Sequence, residues 1–126
     1  MPISVSVCHV RRLIHFTLSG GLDTAEMLLA VDDALGQLDG GVYDVLSDHR
    51  AVTTPATPEQ VKAVIDRLKP AAKALEGRRG AIVVSTDTSY GMMRMFSAHA
   101  EYGLGFAVQV FRDLAAAQES LGLQPG

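Results

Sequence analysis

Apolar and polar residues alternate in two blocks near the start of the chain. The first block, ISVSVCHV (3–10), has apolar residues at every second position, and the second block, LIHFTLSG (13–20), repeats this period. A period of two residues is typical of strands with one buried face. Arg11 and Arg12 occupy the short connection between the blocks. The pattern therefore predicts an antiparallel β-hairpin.

The apolar period then changes to that of a helix. Helical spacing relates five apolar residues, which are predicted to form one side of an α-helix: Met27, Leu28, Val31, Leu35 and Leu38. Asp23 precedes them as a predicted N-cap, and Glu26 stands where a capping box has its carboxylate. We therefore predict a first helix that ends at the glycine pair 40–41.

Two further strands and a second helix follow. The segment VYDVLSD (42–48) is a predicted short strand, and GAIVVSTD (80–87) is a predicted central strand, because its apolar run suits burial on both faces. Thr57 has the hydroxyl of an N-cap, and it is followed by proline at 58 and glutamine at 60, which predicts a helix start. Pro70 should kink or end that helix, since proline removes a backbone donor.

The last two predicted elements are a strand and a helix. The segment GFAVQVF (105–111) alternates in burial, and Asp113 caps a final helix from Leu114 to Leu121. The complete order is β-β-α-β-α-β-α-β-α in a single α/β domain over residues 1–126. Strands that alternate with helices predict a mixed, mainly parallel five-stranded sheet whose first strand is an antiparallel edge strand.

One sheet face is expected to be thinly covered. The last strand places Phe106, Val108 and Val110 on one face and Ala107, Gln109 and Phe111 on the other. Both faces therefore carry apolar side chains, although few elements remain to cover the second face. A homodimer could bury it.

Composition limits the classes of function. The chain has 126 residues, 48% of them hydrophobic and 20% charged, which is ordinary for one globular domain with a core. A net charge of −3 argues against a general nucleic-acid binder. The single cysteine, Cys8, excludes an internal disulfide and a cysteine-based metal framework. Without a signal peptide pattern or a long apolar run, we expect a cytoplasmic chain with no membrane span.

Polar residues follow three strands that are predicted to run in parallel: 47–50, 85–89 and 112–113. Ligands of open α/β sheets collect beyond the carboxyl ends of parallel strands. Hydroxyls, helix amides and an arginine at this edge would suit a small anion. The alternative is that these residues only cap helices and turns. The candidate ligand residues at this edge are Asp48, Arg50, Asp87 and Thr88.

Metal and catalytic sites have little support. Asp48, His49 and Asp87 could imitate an acid–base cluster, but adjacent strand residues point to opposite faces. His99 has glycine at the i+4 position, so no helical histidine pair is present. No serine lies in G-x-S-x-G, and no phosphate-binding glycine loop occurs. We therefore expect no bound metal, no cofactor and no enzymatic activity.

The stretch TSYGMMRMFSAHAE (88–101) is a predicted helix that starts near Ser89. Met92, Met95 and Phe96 share one face and are predicted core residues. Met93 and Arg94 lie off this stripe, so we expect them to be exposed. Methionine also serves adaptable binding surfaces, which leaves the core and surface interpretations both open. The candidate partner or ligand surface at the helix start is Tyr90, Gly91, Met93 and Arg94.

Three segments, in this order, resemble the bacterial SpoIIAA-like domains of STAS and SEC14 type: YDVLSDHR, AIVVSTDTSYGMMRMF and VQVFRDLAAAQESLG. The middle segment is similar to a strand followed by Tyr-Gly-x-x-Arg-x-Phe, and the third to a terminal Val-Phe-Arg-Asp turn. The resemblance covers essentially the whole chain. It implies a small α/β sandwich that acts as a non-catalytic regulatory or protein-interaction module.

The same resemblance implies two further possibilities. Some such domains bind an anion, a nucleotide or an apolar molecule, here expected at the carboxyl ends of the strands, although four Phe and three Tyr leave little room for a lipid tunnel. Several are switched by phosphorylation of a serine in an Asp-Ser-x-Gly context. This chain has Ala-Thr-Pro-Glu at 56–59 instead. Thr57 is the nearest hydroxyl, and its alternative role is the helix cap.

Overall fold

The computed structural model describes residues 2–124 as one five-stranded sheet with helices on both faces. The predicted domain, 1–126, also includes residues 1, 125 and 126, which lie outside the described part. The strands are β1 (Ile3–Cys8), β2 (Leu13–Gly21), β3 (Asp44–Thr54), β4 (Arg79–Val83) and β5 (Ala107–Phe111). The helices are α1 (Thr24–Gly36), α2 (Pro58–Leu68), α3 (Ala72–Leu75), α4 (Asp87–Leu104) and α5 (Leu114–Ser120).

The five strands lie side by side in the order of the chain. β1 pairs with β2 antiparallel, and β2, β3, β4 and β5 are parallel to one another. The register places Val45 of β3 beside Gly80 of β4, and Gly80 beside Val108 of β5. The predicted fold class, with an antiparallel edge strand on a mainly parallel sheet, is confirmed.

One face of the sheet, which we call the helix face, carries α1, α2 and α4. The core of the molecule lies here, where Ile14, Ile82 and Val108 of the sheet pack with residues from the three helices. α2 lies between α1 and α4 and approaches those two helices most closely. The main core is therefore a layer between the sheet and three helices on a single face.

The opposite face is covered by α5 alone. Ala117 of α5 packs on Leu46, Ala81 and Val83, so α5 covers the middle of the sheet. Towards β1 this face carries polar side chains, among which Ser4, Ser6 and Thr17 are exposed. The thin covering of this face was predicted. The exposed side chains named here are polar, so this part of the face needs no apolar partner. The homodimer stays a prediction.

Several helix ends form as the sequence predicts. The Asp23 carboxylate accepts from the backbone N–H of Glu26 at 3.1 Å, which starts α1. Thr57 and Gln60 form the complete capping box of α2, and Gln60 Nε2 also donates to the Leu22 carbonyl at 3.0 Å. The starts of α1 and α2 are thereby joined. Pro70 lies in a short 3₁₀ segment after α2, as expected from its missing donor.

The predicted boundary of β3 is wrong. The strand was expected at 42–48 with a polar exit and a loop, but it runs from Asp44 to Thr54. The long strand β2 continues to supply hydrogen-bond partners: Thr17 pairs with Asp48, and after a bulge Ser19 pairs with Ala51. Pairing with a neighbour, which local residue preference does not reveal, extends the strand.

A buried tyrosine ties the turn of the hairpin to the loop before β3. Tyr43 is fully buried, and its hydroxyl donates to Asp39 at 2.8 Å and accepts from Arg12 Nη1 at 2.9 Å. His9 Nδ1 lies 2.7 Å from the same oxygen. The hydrogen bond from Arg12, followed by that from Tyr43, holds the pKa of Asp39 well below its usual range.

β1 ends at Cys8, two residues before the predicted end, and Arg12 adopts a positive φ of 53° in the turn.

Gly80 is required by the close approach of an aromatic ring across the sheet. A Cβ at this position would lie 2.8 Å from Phe106 Cζ, and Phe106 is buried. We expect Gly80→Ala to lower the free energy of unfolding by about 1–3 kcal/mol, because the added methyl group displaces the buried Phe106 ring from its position. Urea unfolding monitored by circular dichroism measures this change.

The matched control is Gly91→Ala in α4. No atom lies within 4 Å of the added Cβ, and alanine is about 1 kcal/mol better than glycine in a helix interior. This variant should therefore be more stable than the wild type. A Gly80→Ala variant as stable as Gly91→Ala would contradict the close packing of Phe106 on Gly80.

Candidate functional site

The carboxyl edge of the sheet is where the sequence placed the candidate residues, and α4 starts there. The backbone N–H of Val84 donates to Phe111 O at 2.9 Å, so β4 and β5 pair up to this point. The helix then begins at Asp87, and the Thr86 hydroxyl accepts from the N–H of Ser89 at 3.1 Å. The predicted start near Ser89, with Thr88 or Ser89 as the cap, is wrong, because the chain turns directly after the strand ends.

β3 contains an ion pair, and one side-chain contact to its backbone joins it to the segment after β4. Arg50 donates from Nε and Nη2 to Asp48 at 2.9 and 2.8 Å. This hydrogen bonding lowers the pKa of Asp48 against the opposing effect of burial. The Ser85 hydroxyl donates to the Arg50 carbonyl at 3.0 Å. Asp48 and Arg50 therefore satisfy each other, within a strand rather than in a loop.

A tyrosine between two arginines marks the outer side of α4. The guanidinium carbon of Arg112 lies 4.9 Å from the centre of the Tyr90 ring, and that of Arg94 lies 5.9 Å from it. Arg112 also pairs with Asp87, which is largely exposed. These four residues form what we call the edge surface: Asp87, Tyr90, Arg94 and Arg112. Within residues 2–124, Arg94 makes no ion pair.

The edge surface contains three of the residues predicted from the sequence: Asp87, Tyr90 and Arg94. Arg112 is missing from the predicted set, although it directly follows β5 at the same sheet edge. The sequence pattern already placed the segment 112–113 at this edge, although Arg112 was not among the candidate site residues. Thr88 and Gly91 are exposed in the first turns of α4, near these residues.

Met93 is not on the surface. It is 5% exposed and belongs to the core, so its predicted exposure is wrong. The buried residues of α4 are Ser89, Met93, Ala100 and Leu104. Met92 and Met95 flank this stripe and are half-buried. Four apolar residues within five positions give a broad apolar arc, and only packing on the sheet determines its most buried side.

An apolar cavity of about 120 Å³ lies between the helix face of the sheet and α1, α2 and α4. Most of its lining is aliphatic or aromatic, with Met93 and Phe96 of α4 among the lining residues. The polar side chains that line it are Ser47, His49 and Gln60, and none of the described lining residues is charged. We call this space the sheet–helix cavity.

Ser47 and His49 provide the polar part of the cavity lining. Both lie in β3 on the same face as Val45, because alternate strand residues share a face. Ser47 Oγ and His49 Nε2 are 2.8 Å apart. Asp48 lies between them in the strand and points to the opposite face, as predicted from the alternation. The same period of two was the sequence signal from which Ser47 and His49 could have been predicted to face the core.

His49 is neutral at pH 7. Burial of the imidazole lowers its pKa to about 4, and the charge of Asp48 only partly opposes this effect. One ring nitrogen therefore carries a proton and the other has a lone pair. Since Nε2 is engaged by Ser47, Nδ1 is the nitrogen left for another partner.

The Ser47–His49 pair has the distance of a nucleophile and its base, but the surroundings do not suit catalysis. A catalytic histidine is oriented by a third group on its other nitrogen. The adjacent carboxylate, Asp48, faces the other side of the sheet and binds Arg50. The strand itself is paired on both sides, with β2 and β4, so its amides are not grouped as oxyanion donors.

Two further features are absent from the described residues. Residues 2–124 contain no group of three or more side chains arranged to bind a metal ion. None of the helices in this part of the chain has the length and apolar character needed to cross a bilayer.

Thr57 is exposed at the start of α2. Its hydroxyl accepts from the N–H of Gln60 at 3.1 Å, which is the helix-cap role. Phosphorylation of Thr57 stays a prediction.

Comparison with known proteins identifies the fold. No protein-family model matches the chain, and no curated protein matches it. Among solved structures, it is similar to the crystal structure of an uncharacterised DUF3478-family protein with a SpoIIAA-like fold from Shewanella loihica. The TM-score is 0.62 at 16% identity, over 94% of this chain and 91% of the other. The chain therefore has a SpoIIAA-like fold, and the likeness carries no information about function.

The partly buried His49 should make stability depend on pH, because its imidazole is desolvated in the fold. In the unfolded chain His49 protonates near pH 6.5, whereas in the fold its pKa is about 4. Below pH 6.5 the unfolded state therefore binds more protons, and the free energy of unfolding falls as the pH falls. Linkage predicts a loss of about 2 kcal/mol between pH 7 and pH 5 from this residue.

Urea unfolding at both pH values, on the wild type and on His49→Leu, isolates this contribution from that of the carboxylates. The wild type should lose more stability than His49→Leu over this interval. Equal losses would show that the imidazole is not desolvated in the native state.

Proposed function

We propose that this chain is a non-catalytic module that binds a small apolar molecule in the sheet–helix cavity. The observation that carries the proposal is the cavity itself, about 120 Å³ of space beneath α2 with a largely apolar lining. Small-ligand binding was one of the two functions expected from the sequence, but at the carboxyl ends of the strands. The cavity instead lies between the sheet and the helices.

The size of the cavity supports a specific ligand. Protein interiors are close-packed, with few voids larger than a water molecule, whereas this partly open pocket offers about 120 Å³ of space. An apolar cavity of about 150 Å³ binds benzene. A single ring or a short branched chain therefore suits this space better than a long acyl chain.

The position of the cavity supports a regulatory role. Met93 and Phe96 line it from α4, and the same helix carries Tyr90 and Arg94 on its outer side. A ligand that favours one packing of α4 would also favour one arrangement of these surface residues. A partner that contacts Tyr90 and Arg94 would thereby respond to a ligand bound inside the cavity.

A second candidate function is protein binding through the edge surface. Tyrosine and arginine dominate the residues that contribute most to protein interfaces. Tyr90 lies between Arg94 and Arg112, and Arg94 makes no ion pair within residues 2–124. An acidic or aromatic partner group would complete this arrangement.

Ligand binding is tested with benzene as the probe and with two alanine-to-leucine variants. At ten times its dissociation constant, benzene should raise the free energy of unfolding of the wild type by about 1.4 kcal/mol. Ala30→Leu places three more carbons in the cavity lining and should abolish the effect. Ala98→Leu, at an exposed position of α4, should preserve it. An equal response in both variants would place benzene elsewhere.

The edge surface is tested with a double substitution. Tyr90→Ala with Arg94→Ala should release protein partners that the wild type retains in a pull-down, with a loss of affinity of tenfold or more, because both residues belong to one contact area. Tyr102→Ala is the control, since Tyr102 is 95% exposed on the same helix. Partners retained by the double variant would contradict binding at this surface.

A further inference from the structure

The polar part of the sheet–helix cavity sets the chemistry of its occupant, if ligand binding as proposed above is correct. Gln60 contributes little to this choice, because its side chain already makes three hydrogen bonds: Nε2 donates to Leu22 O and Thr24 Oγ1, and Oε1 accepts from Thr57 N–H. Its three contacts hold α1 and α2 together. Ser47 and His49 are then the groups that remain to meet a ligand.

The Ser47–His49 pair can adopt two arrangements of its proton. If the Ser47 hydroxyl donates to Nε2, Nδ1 carries the imidazole hydrogen and is a donor. If Nε2 donates to Ser47 Oγ, Nδ1 is an acceptor. Among residues 2–124, His49 makes no hydrogen bond other than that with Ser47. Nδ1 can therefore meet a hydroxyl group in either arrangement.

Charge excludes a second class of ligand. A carboxylate in the cavity would need a cation, since an unpaired charge in an apolar space is very costly. None of the described lining residues is charged, and the buried imidazole is neutral at pH 7. Free fatty acids and aromatic acids are therefore poor occupants, although their apolar parts would fit.

We propose that the cavity selects a small neutral molecule with one hydroxyl group, such as a phenol, and that His49 binds this hydroxyl. The apolar lining takes the ring, and the imidazole prevents the hydroxyl from being buried without a partner. A hydrogen bond to the imidazole gives a net gain, whereas a hydroxyl buried without a partner carries the full cost of its desolvation. The imidazole thus changes phenol from a disfavoured to a favoured ligand.

The experiment compares three ligands of the same ring size: benzene, phenol and benzoate. Dissociation constants are measured at pH 7 by NMR titration of the wild type and of His49→Leu, which replaces the imidazole with an apolar group of similar volume. Phenol should bind the wild type at least as tightly as benzene. In His49→Leu the ratio of phenol to benzene affinity should fall by about tenfold or more. Benzoate should bind neither protein.

The outcomes separate this inference from the proposed function. If benzene binds but phenol does not, or if the ratio is unchanged in His49→Leu, the cavity binds apolar ligands and His49 plays no part. If benzoate binds as tightly as phenol, the exclusion of charge is wrong. If none of the three ligands binds the wild type, the proposed function fails, and this inference fails with it.

A second measurement needs no substitution. The ¹⁵N resonances of the His49 imidazole respond to the tautomer and to hydrogen bonds at each nitrogen. Phenol should shift the Nδ1 resonance, whereas benzene, which occupies the same space without a hydroxyl, should shift it much less. Equal shifts with both ligands would overturn the contact between His49 and the hydroxyl, even if His49→Leu does not fold.

Discussion

The order of the strands is the constraint on which the rest of the molecule depends. β2, β3, β4 and β5 are parallel and lie side by side in chain order, so the three connections between them all progress in one direction. Because such crossovers are right-handed, helices that connect strands in this order lie on one face of the sheet. α1, α2 and α4 share the helix face for this reason, and only α5, which follows the last strand, covers the other face.

Crowding three helices over one face explains the cavity. α2 lies between α1 and α4 and is joined to the start of α1 through Gln60. Its buried residues, Val61 and Ile65, reach towards the sheet between the two flanking helices. The side of β3 beneath them carries Ser47 and His49, which are smaller or more polar than the aliphatic residues usual in a covered parallel strand. The polar part of the cavity lining therefore comes largely from β3.

Particular residues show how far a site can be read from a sequence. Asp87, Tyr90 and Arg94 lie near the start of α4, where helix spacing and the rule for parallel strands had located them. Met93 was misplaced, since four apolar residues within five positions leave the rotation of the helix undefined. Ser47 and His49 were read as a polar exit from the strand. Their side of the sheet followed from alternation, but their burial followed from the continued pairing of β3 with β2 beyond the predicted end.

Local physics thus accounts for the elements and their order: alternation predicted the strands, apolar spacing predicted the helices, and Asp23, Thr57 and Asp113 marked three helix starts. These features depend on residues a few positions apart, so a single chain reveals them. The length of β3, the buried side of α4 and the cavity depend instead on contacts between distant segments. The cavity in particular depends on how the whole surfaces of the sheet and the helices fit together, and no short stretch of residues determines that fit.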